Sequence, residues 1–211
     1  APETTAPETP ATAAQPPAAA TSDPQAPAGD ASTAVAVAQR AILYEEPLPN
    51  TEGTRIEGQA IWDFVPAAGD QAAAIRARVT MPDRGLTLVM TIRKITDGSL
   101  PATHLIDLEF QLGAAFDGNG ITATPGLLLK PTEDARGDSL VGAVQPVTAN
   151  HFWLAASAVE RDAQRNVALL KEREWIDVPI LYGSRRRAIL TFEKGAPGDR
   201  IFAQAFAAWG E

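Results

Sequence analysis

The sequence predicts a mainly β fold, a β-sandwich with two short helices near the C-terminus, preceded by a disordered tail. Three observations carry the prediction. Residues 1 to 34 hold seven of the 17 prolines and contain no aromatic residue, no Leu and no Ile. From Val35 onward the apolar residues recur mostly at every second position. Helical spacing occurs twice, both times in the last third of the chain, as expected when helices cover sheets built from earlier strands.

The tail is rich in Ala, Pro and Thr and has nothing to bury. It cannot offset the entropy of ordering its own backbone, so residues 1 to 34 are expected to be a disordered linker, partly polyproline II. Residues 35 to 211 are expected to form a single domain. Glu3, Glu8, Asp23 and Asp30 supply half of the net charge of −8, which leaves the domain only mildly acidic.

The strands follow from alternation. Ile106, Leu108, Phe110 and Leu112 share one face of a segment whose other face carries Asp107, Glu109 and Gln111. Ile75, Ala77, Val79 and Met81 form a second such stripe, and Leu86, Leu88, Met90 and Ile92 a third. Between these two lies Pro82-Asp83-Arg84-Gly85, where proline presets the turn and glycine accepts positive φ, which makes a tight hairpin. Further strands are expected at Arg40 to Glu46, Arg55 to Phe64, Leu140 to Val147, His151 to Ala156, Ile176 to Tyr182 and Arg187 to Glu193. Gly183-Ser184-Arg185-Arg186 would join the last two as a second hairpin. Pro179 cannot donate to a ladder and places its strand at an edge or a bulge.

Ser157-Ala158-Val159-Glu160 has the form of a capping box, followed by Val159, Ala163, Val167 and Leu170 at helical spacing and by Lys171 and Arg173 near the C-terminal dipole. The second helix is expected from Pro197 to Trp209, with Phe202, Phe206 and Trp209 on one stripe and Gly210 as the stop. So short a helix is stable only if that stripe is buried.

Composition narrows the function. A net charge of −8 and a sequence pI near 4.8 argue against a general nucleic-acid binder, which needs a dominant basic face. The absence of cysteine excludes disulfides, thiol nucleophiles, iron-sulfur clusters and Cys-ligated zinc. No apolar stretch approaches the roughly 18 residues that cross a bilayer. Ser99, His104 and Asp107 contain the residue types of a nucleophile, base and orienter, but in a strand His104 and Asp107 point to opposite faces. His104 and His151 are therefore expected to be structural. Asp117-Gly118-Asn119-Gly120 resembles the start of a calcium loop without enough oxygen ligands after it, and a glycine-rich turn is the expectation. Glu133 and Asp134 are expected as solvated loop charges. Arg136-Gly137-Asp138 matches a cell-adhesion tripeptide, a string short enough to arise by chance. Arg185, Arg186 and Arg187 form the one basic run, placed on a hairpin tip as a candidate interaction surface. No catalytic, cofactor or metal site is expected.

The segments RAILYEEP (Arg40 to Pro47), TDGSLPATHLIDLEF (Thr96 to Phe110), RNVALLKEREWIDVPILY (Arg165 to Tyr182), RRAILTFEKG (Arg186 to Gly195) and AFAAWG (Ala205 to Gly210) together resemble a family of uncharacterised bacterial envelope proteins. That resemblance implies an N-terminal membrane segment, a proline-rich linker and one folded domain, with no activity to carry over. The last third alone is similar to the end of the invasion-associated locus B family, secreted or periplasmic β-sandwich proteins that usually carry paired cysteines, which this chain lacks.

The start at Ala1 and the tether behind it are what remains when a signal peptide or anchor has been removed, and trimming to a fragment would give the same start. The expectation is a non-enzymatic β-sandwich module, periplasmic or exported, tethered to the inner membrane through a segment upstream of Ala1. It would act through contacts with an envelope protein whose identity the sequence does not give. The alternative is a hydrolase using Ser99 and His104.

Overall fold

The computed structural model describes residues 37–98 and 100–211, and the linker expected over residues 1 to 34 lies outside them. Among the described residues the strands are β1 (Gln39–Glu45), β2 (Thr54–Val65), β3 (Ala74–Met81), β4 (Leu86–Lys94), β5 (Ala102–Leu112), β6 (Ile121–Ala123), β7 (Leu128–Lys130), β8 (Asp138–Ser139), β9 (Gly142–Thr148), β10 (His151–Ser157), β11 (Trp175–Tyr182) and β12 (Arg187–Glu193). The helices are α1 (Glu160–Glu172) and α2 (Gly195–Trp209). All strands belong to one antiparallel sheet in the order β8-β7-β11-β12-β1-β2-β3-β4-β5-β10-β9, with β6 also on β11. The two layers of the mainly β fold are thus halves of one curled sheet.

Alternation selects the inner face. Leu43, Val79, Leu88, Leu108, Leu154 and Leu190, from six different strands, are all buried in one apolar core. The curl brings the sheet's ends together, because β8 and β9, at opposite ends of the strand order, are separated by only Leu140 and Val141. Leu140 N donates to Leu127 O (3.0 Å) on the β7 side, while Ser157 N of β10 donates to Val141 O (2.9 Å). At this change of partner the buried Asn166 side chain of α1 stands in for a strand: its Oδ1 accepts from Val141 N (2.9 Å) and its Nδ2 donates to Val141 O (2.8 Å). Beyond it β9 pairs with β10 alone among the described residues. Since Val141 turns its carbonyl toward β10, Ala143 and Gln145 do likewise and Pro146 turns outward, where its missing N–H blunts the open edge.

Both hairpins form. Pro82–Arg84 makes a 3₁₀ turn and Gly85 takes φ 62°. In the second turn it is Arg185 that adopts positive φ, at 68°. Gly183 is required there for space, since a Cβ would collide with the carbonyl oxygen of Asn119. Pro179 is neither at the sheet edge nor in a bulge of its own strand. β12 flanks it on one side, and on the other the pairing is interrupted: β7 holds Trp175 to Asp177, β6 holds Leu181 and Tyr182, and nothing pairs between them.

The capping box does not form as the spacing predicts. Ser157 still belongs to β10, Val159 takes the cap position, and the Ser157 hydroxyl accepts from Val159 N (3.2 Å) and donates to Asp162 (3.1 Å) instead of engaging Glu160. Helix α2 closes one end of the curled sheet. Phe202, Phe206 and Trp209 are all buried. Trp62 packs edge-on against Phe202 at 5.4 Å between centroids, and the Trp209 indole donates to Ala73 O (2.7 Å). Gly210 ends the helix at φ 72°. The stripe is part of the core, so Phe206→Ala should lose about 3–5 kcal/mol in equilibrium unfolding; a loss below about 1 kcal/mol would show that the site is not core.

Candidate functional site

Polar side chains gather at several places among the described residues, inside the domain and on its outer face. At the end opposite α2, Glu45 continues the inward stripe of Ala41 and Leu43 and is fully buried. Its carboxylate pairs with Arg84 from the β3–β4 turn, pairs with Arg186 from the β11–β12 hairpin (2.9 Å) and accepts from the Tyr182 hydroxyl (2.8 Å). Arg84 also reaches Asp117 (2.8 Å). The hydrogen bond to Glu45 raises the Arg84 pKa against the cost of burial, and burial followed by the Glu45 bond raises that of Tyr182.

This network divides the expected basic run. Arg186 is turned inward, its Nε donating to Glu46 O (2.7 Å) and its NH2 to Thr54 (3.1 Å). Arg185 and Arg187 face solvent. The glycine-rich Asp117–Gly120 turn docks on the same hairpin through Ser184 N to Gly118 O (2.9 Å) and Gly183 N to Gly120 O (2.8 Å), and is a packing element.

The second internal group lies under α2. His104 is fully buried, 5.1 Å from the Trp209 ring and 6.1 Å from Phe206. Its Nδ1 meets the Thr103 hydroxyl at 3.2 Å, and Nε2 lies 3.4 Å from Glu211. Burial lowers its pKa, Glu211 opposing and Lys94 assisting. Ser99, the proposed nucleophile, lies outside the described residues. Packed against Phe206 and Trp209 and close to Glu211, His104 joins the sheet to the C-terminal residues. Nearby, the fully buried Lys194 donates to Leu170 O (2.6 Å) and sits 4.2 Å from the Phe202 centroid, fixing the end of α1 to the start of α2.

On the outer face, Asp107 accepts from the Trp153 indole (3.0 Å) and lies 2.8 Å from His151 Nε2, which assigns the proton to that nitrogen because a carboxylate only accepts. Arg76 and Arg78 on β3 and Asp107 and Glu109 on β5, whose alternation on polar strand faces suggests cross-strand ion pairs, are not neighbours. Strand β4 runs between β3 and β5 and puts Thr91 and Val89 in the way. Arg93 instead donates to Gln71 (3.0 Å).

Further round the outer face, Glu133 is paired with Arg40 and accepts from the Tyr44 hydroxyl (2.8 Å), with Arg55 at 3.7 Å. Burial works to raise its pKa, but these partners outweigh it and the pKa is lowered. Glu133 is therefore an anchor for its loop and not a solvated charge. Asp138 of the adhesion-like tripeptide lies in β8 and pairs with Arg165 (3.4 Å) and Arg173 (3.5 Å), so the tripeptide is not a free loop tip. The last feature is an apolar recess of about 440 Å³ beside Pro179 and Ile189.

Among the described residues no group of three or more His, Asp or Glu is placed to hold a metal, and no helix is long and apolar enough to cross a membrane. Compared with models of protein families, with curated proteins and with solved structures, the chain finds no match.

Sequence reasoning passed over Glu45, Asn166 and Lys194. Glu45 carried a signal, since it interrupts an apolar alternation at a position where only a satisfied carboxylate can be buried. Burial pushes the Lys194 ammonium down to about 8, with Asp199 and Glu174 pulling it back. Because the folded value lies below the ordinary one, the unfolded chain holds more protons between pH 8 and about 10.5, so this residue makes stability rise with pH across that window. The deficit of wild type relative to Lys194→Met should shrink by about 1–3 kcal/mol between pH 7.5 and 10. Parallel stability profiles would mean that Lys194 titrates normally.

Proposed function

We propose that the folded domain is a non-enzymatic binding module, held in the bacterial envelope by its N-terminal segment, that acts through protein contacts made around Trp153. The observation that carries this reading is a large aromatic side chain, 37% exposed, whose orientation is fixed by Asp107, itself held by His151. Tryptophans of this kind dominate binding energies at interfaces because they offer large area at little ordering cost. Gln145 stands beside Trp153 on β9, and Val147, also well exposed, follows on the same strand. Exposed Arg76 and Arg78 lie farther along the same face of the sheet.

The placement in the envelope rests on the proline-rich tether and on the resemblance set out above. A photo-crosslinker at Gln145 of the full-length protein in bacteria, followed by fractionation, tests both parts. A discrete adduct in the envelope fraction, reduced at least about tenfold by Trp153→Ala in a protein that still melts cooperatively, is expected. A cytosolic protein would overturn the location. An adduct indifferent to Trp153→Ala, or none, would overturn the binding face.

A further inference from the structure

The recess beside Pro179 owes its existence to the interruption in β11's pairing. Residues 121 to 130 run along β11, but between β6 and β7 the chain turns inward at Gly126, which takes φ 127°, and buries Leu127 in the core. Ala123, Thr124 and Pro125 are left as one wall, with Pro179, Leu181 and Ile189 as floor and Arg187 as lining. Ile189 is 40% exposed, the side chain of a hydrophobe left open to solvent on a sheet face.

The chemistry of the walls selects the occupant. Tyr182 N donates to Arg186 O across the hairpin (2.9 Å), so by alternation Ile180 and Val178 turn their main-chain groups toward β12 and Pro179 turns toward the gap. Pro179 has no N–H to offer there, and Pro125 on the opposite wall has none either. The Thr124 hydroxyl is occupied within its own loop, bonding Gly126 O (3.4 Å) and accepting from Gly126 N (3.3 Å). A peptide strand laid in this gap would find no main-chain donor at Pro179 or Pro125, whereas a hydrocarbon chain requires none. The cation at the recess is Arg187, whose side chain makes no ion pair among the described residues, with exposed Arg185 on the adjoining turn. The carboxylate nearby is Glu46, whose Oε2 accepts from Arg187 N (3.3 Å) in the neighbouring shallow groove beside Tyr44.

We propose that this recess binds a single-chain fatty acid, with the acyl chain over Pro179 and Ile189 and the carboxylate on the Arg187 guanidinium. The volume suits one small amphiphile and falls at the low end of ligand cavities. The site is separate from the Trp153 face and does not depend on the reading given for it.

Calorimetric titration of the purified full chain with dodecanoate, dodecanol, acetate and anionic phospholipid vesicles tests the proposal. Dodecanoate should bind saturably, one molecule per chain, and acetate should not bind. Dodecanol should bind at least roughly tenfold more weakly, the worth of one charge-assisted contact. Arg187→Gln should reduce dodecanoate affinity by the same factor, and Ile189→Asp should abolish binding. Both residues are exposed, and a melting curve like that of wild type establishes that each variant is folded. Should Ile189→Asp fail to fold, Arg187→Gln decides alone. No dodecanoate binding, equal binding of dodecanol, binding unchanged in Arg187→Gln, or binding to vesicles with no affinity for the free acid would each overturn the proposal.

Discussion

A carboxylate on the wrong face of a strand governs this fold. Glu45 occupies a core position at the end of β1, and burying it without partners would cost more than any neighbouring apolar contact returns. It is satisfied only when the β3–β4 turn delivers Arg84, the β11–β12 hairpin delivers Arg186, and β11 ends on Tyr182. These groups lie far apart in the chain and meet because the strand order places β11, β12 and β3 within two strands of β1. A slip of one residue in the pairing of β1 would turn Glu45 out and Tyr44 in, and both the core and the network would be lost together. The network thus acts mainly on register and curvature, and a well-packed hydrophobic end of the same volume would serve stability as well.

The opposite end is closed by different means. Helix α2 contributes three aromatic side chains, and polar groups beneath them are held in place by Trp209 donating to Ala73 O, Lys194 to Leu170 O, and Lys94 to Trp209 O (2.9 Å) while it also pairs with Glu211 (2.8 Å). Between the two ends the sheet closes along its length at Leu140 and Val141, where Asn166 accepts from Val141 N and joins Ser157 N of β10 in donating to Val141 O. The outer face is where the molecule can meet others. It carries Trp153 on one half and the Pro179 recess on the other.

Most of the architecture was legible in the sequence because period-two alternation is a strong signal in strands of seven or more residues. The nine strands expected from it all form, and the positions of Gly85 and Gly210 follow from turn and cap chemistry. Strands β6, β7 and β8 were missed for the same physical reason, since two or three residues hold too little alternation to register. Pro179 was recognised as an anomaly, but its explanation lies in the interruption between β6 and β7, which no local pattern announces. The basic run was visible, while the inward turn of Arg186 depends on Glu45, some 140 residues away in sequence. Likewise Asp107 and Trp153 are paired only because β10 returns to lie beside β5. Groups assembled by such long-range pairing, which include both outer-face candidates, leave little trace in a single sequence.

The most direct measurement of this account is the equilibrium unfolding of Glu45→Ala beside Glu57→Ala, a change to an exposed carboxylate on the adjacent strand. Removing Glu45 leaves two largely buried guanidinium groups without their shared partner, and a loss of about 3–5 kcal/mol is predicted. The Glu57 change should cost less than about 0.5 kcal/mol, and Glu45→Gln, which keeps an acceptor for Tyr182, should fall between. A Glu45→Ala protein that unfolds within about 1 kcal/mol of wild type would contradict the claim that this carboxylate organises the fold.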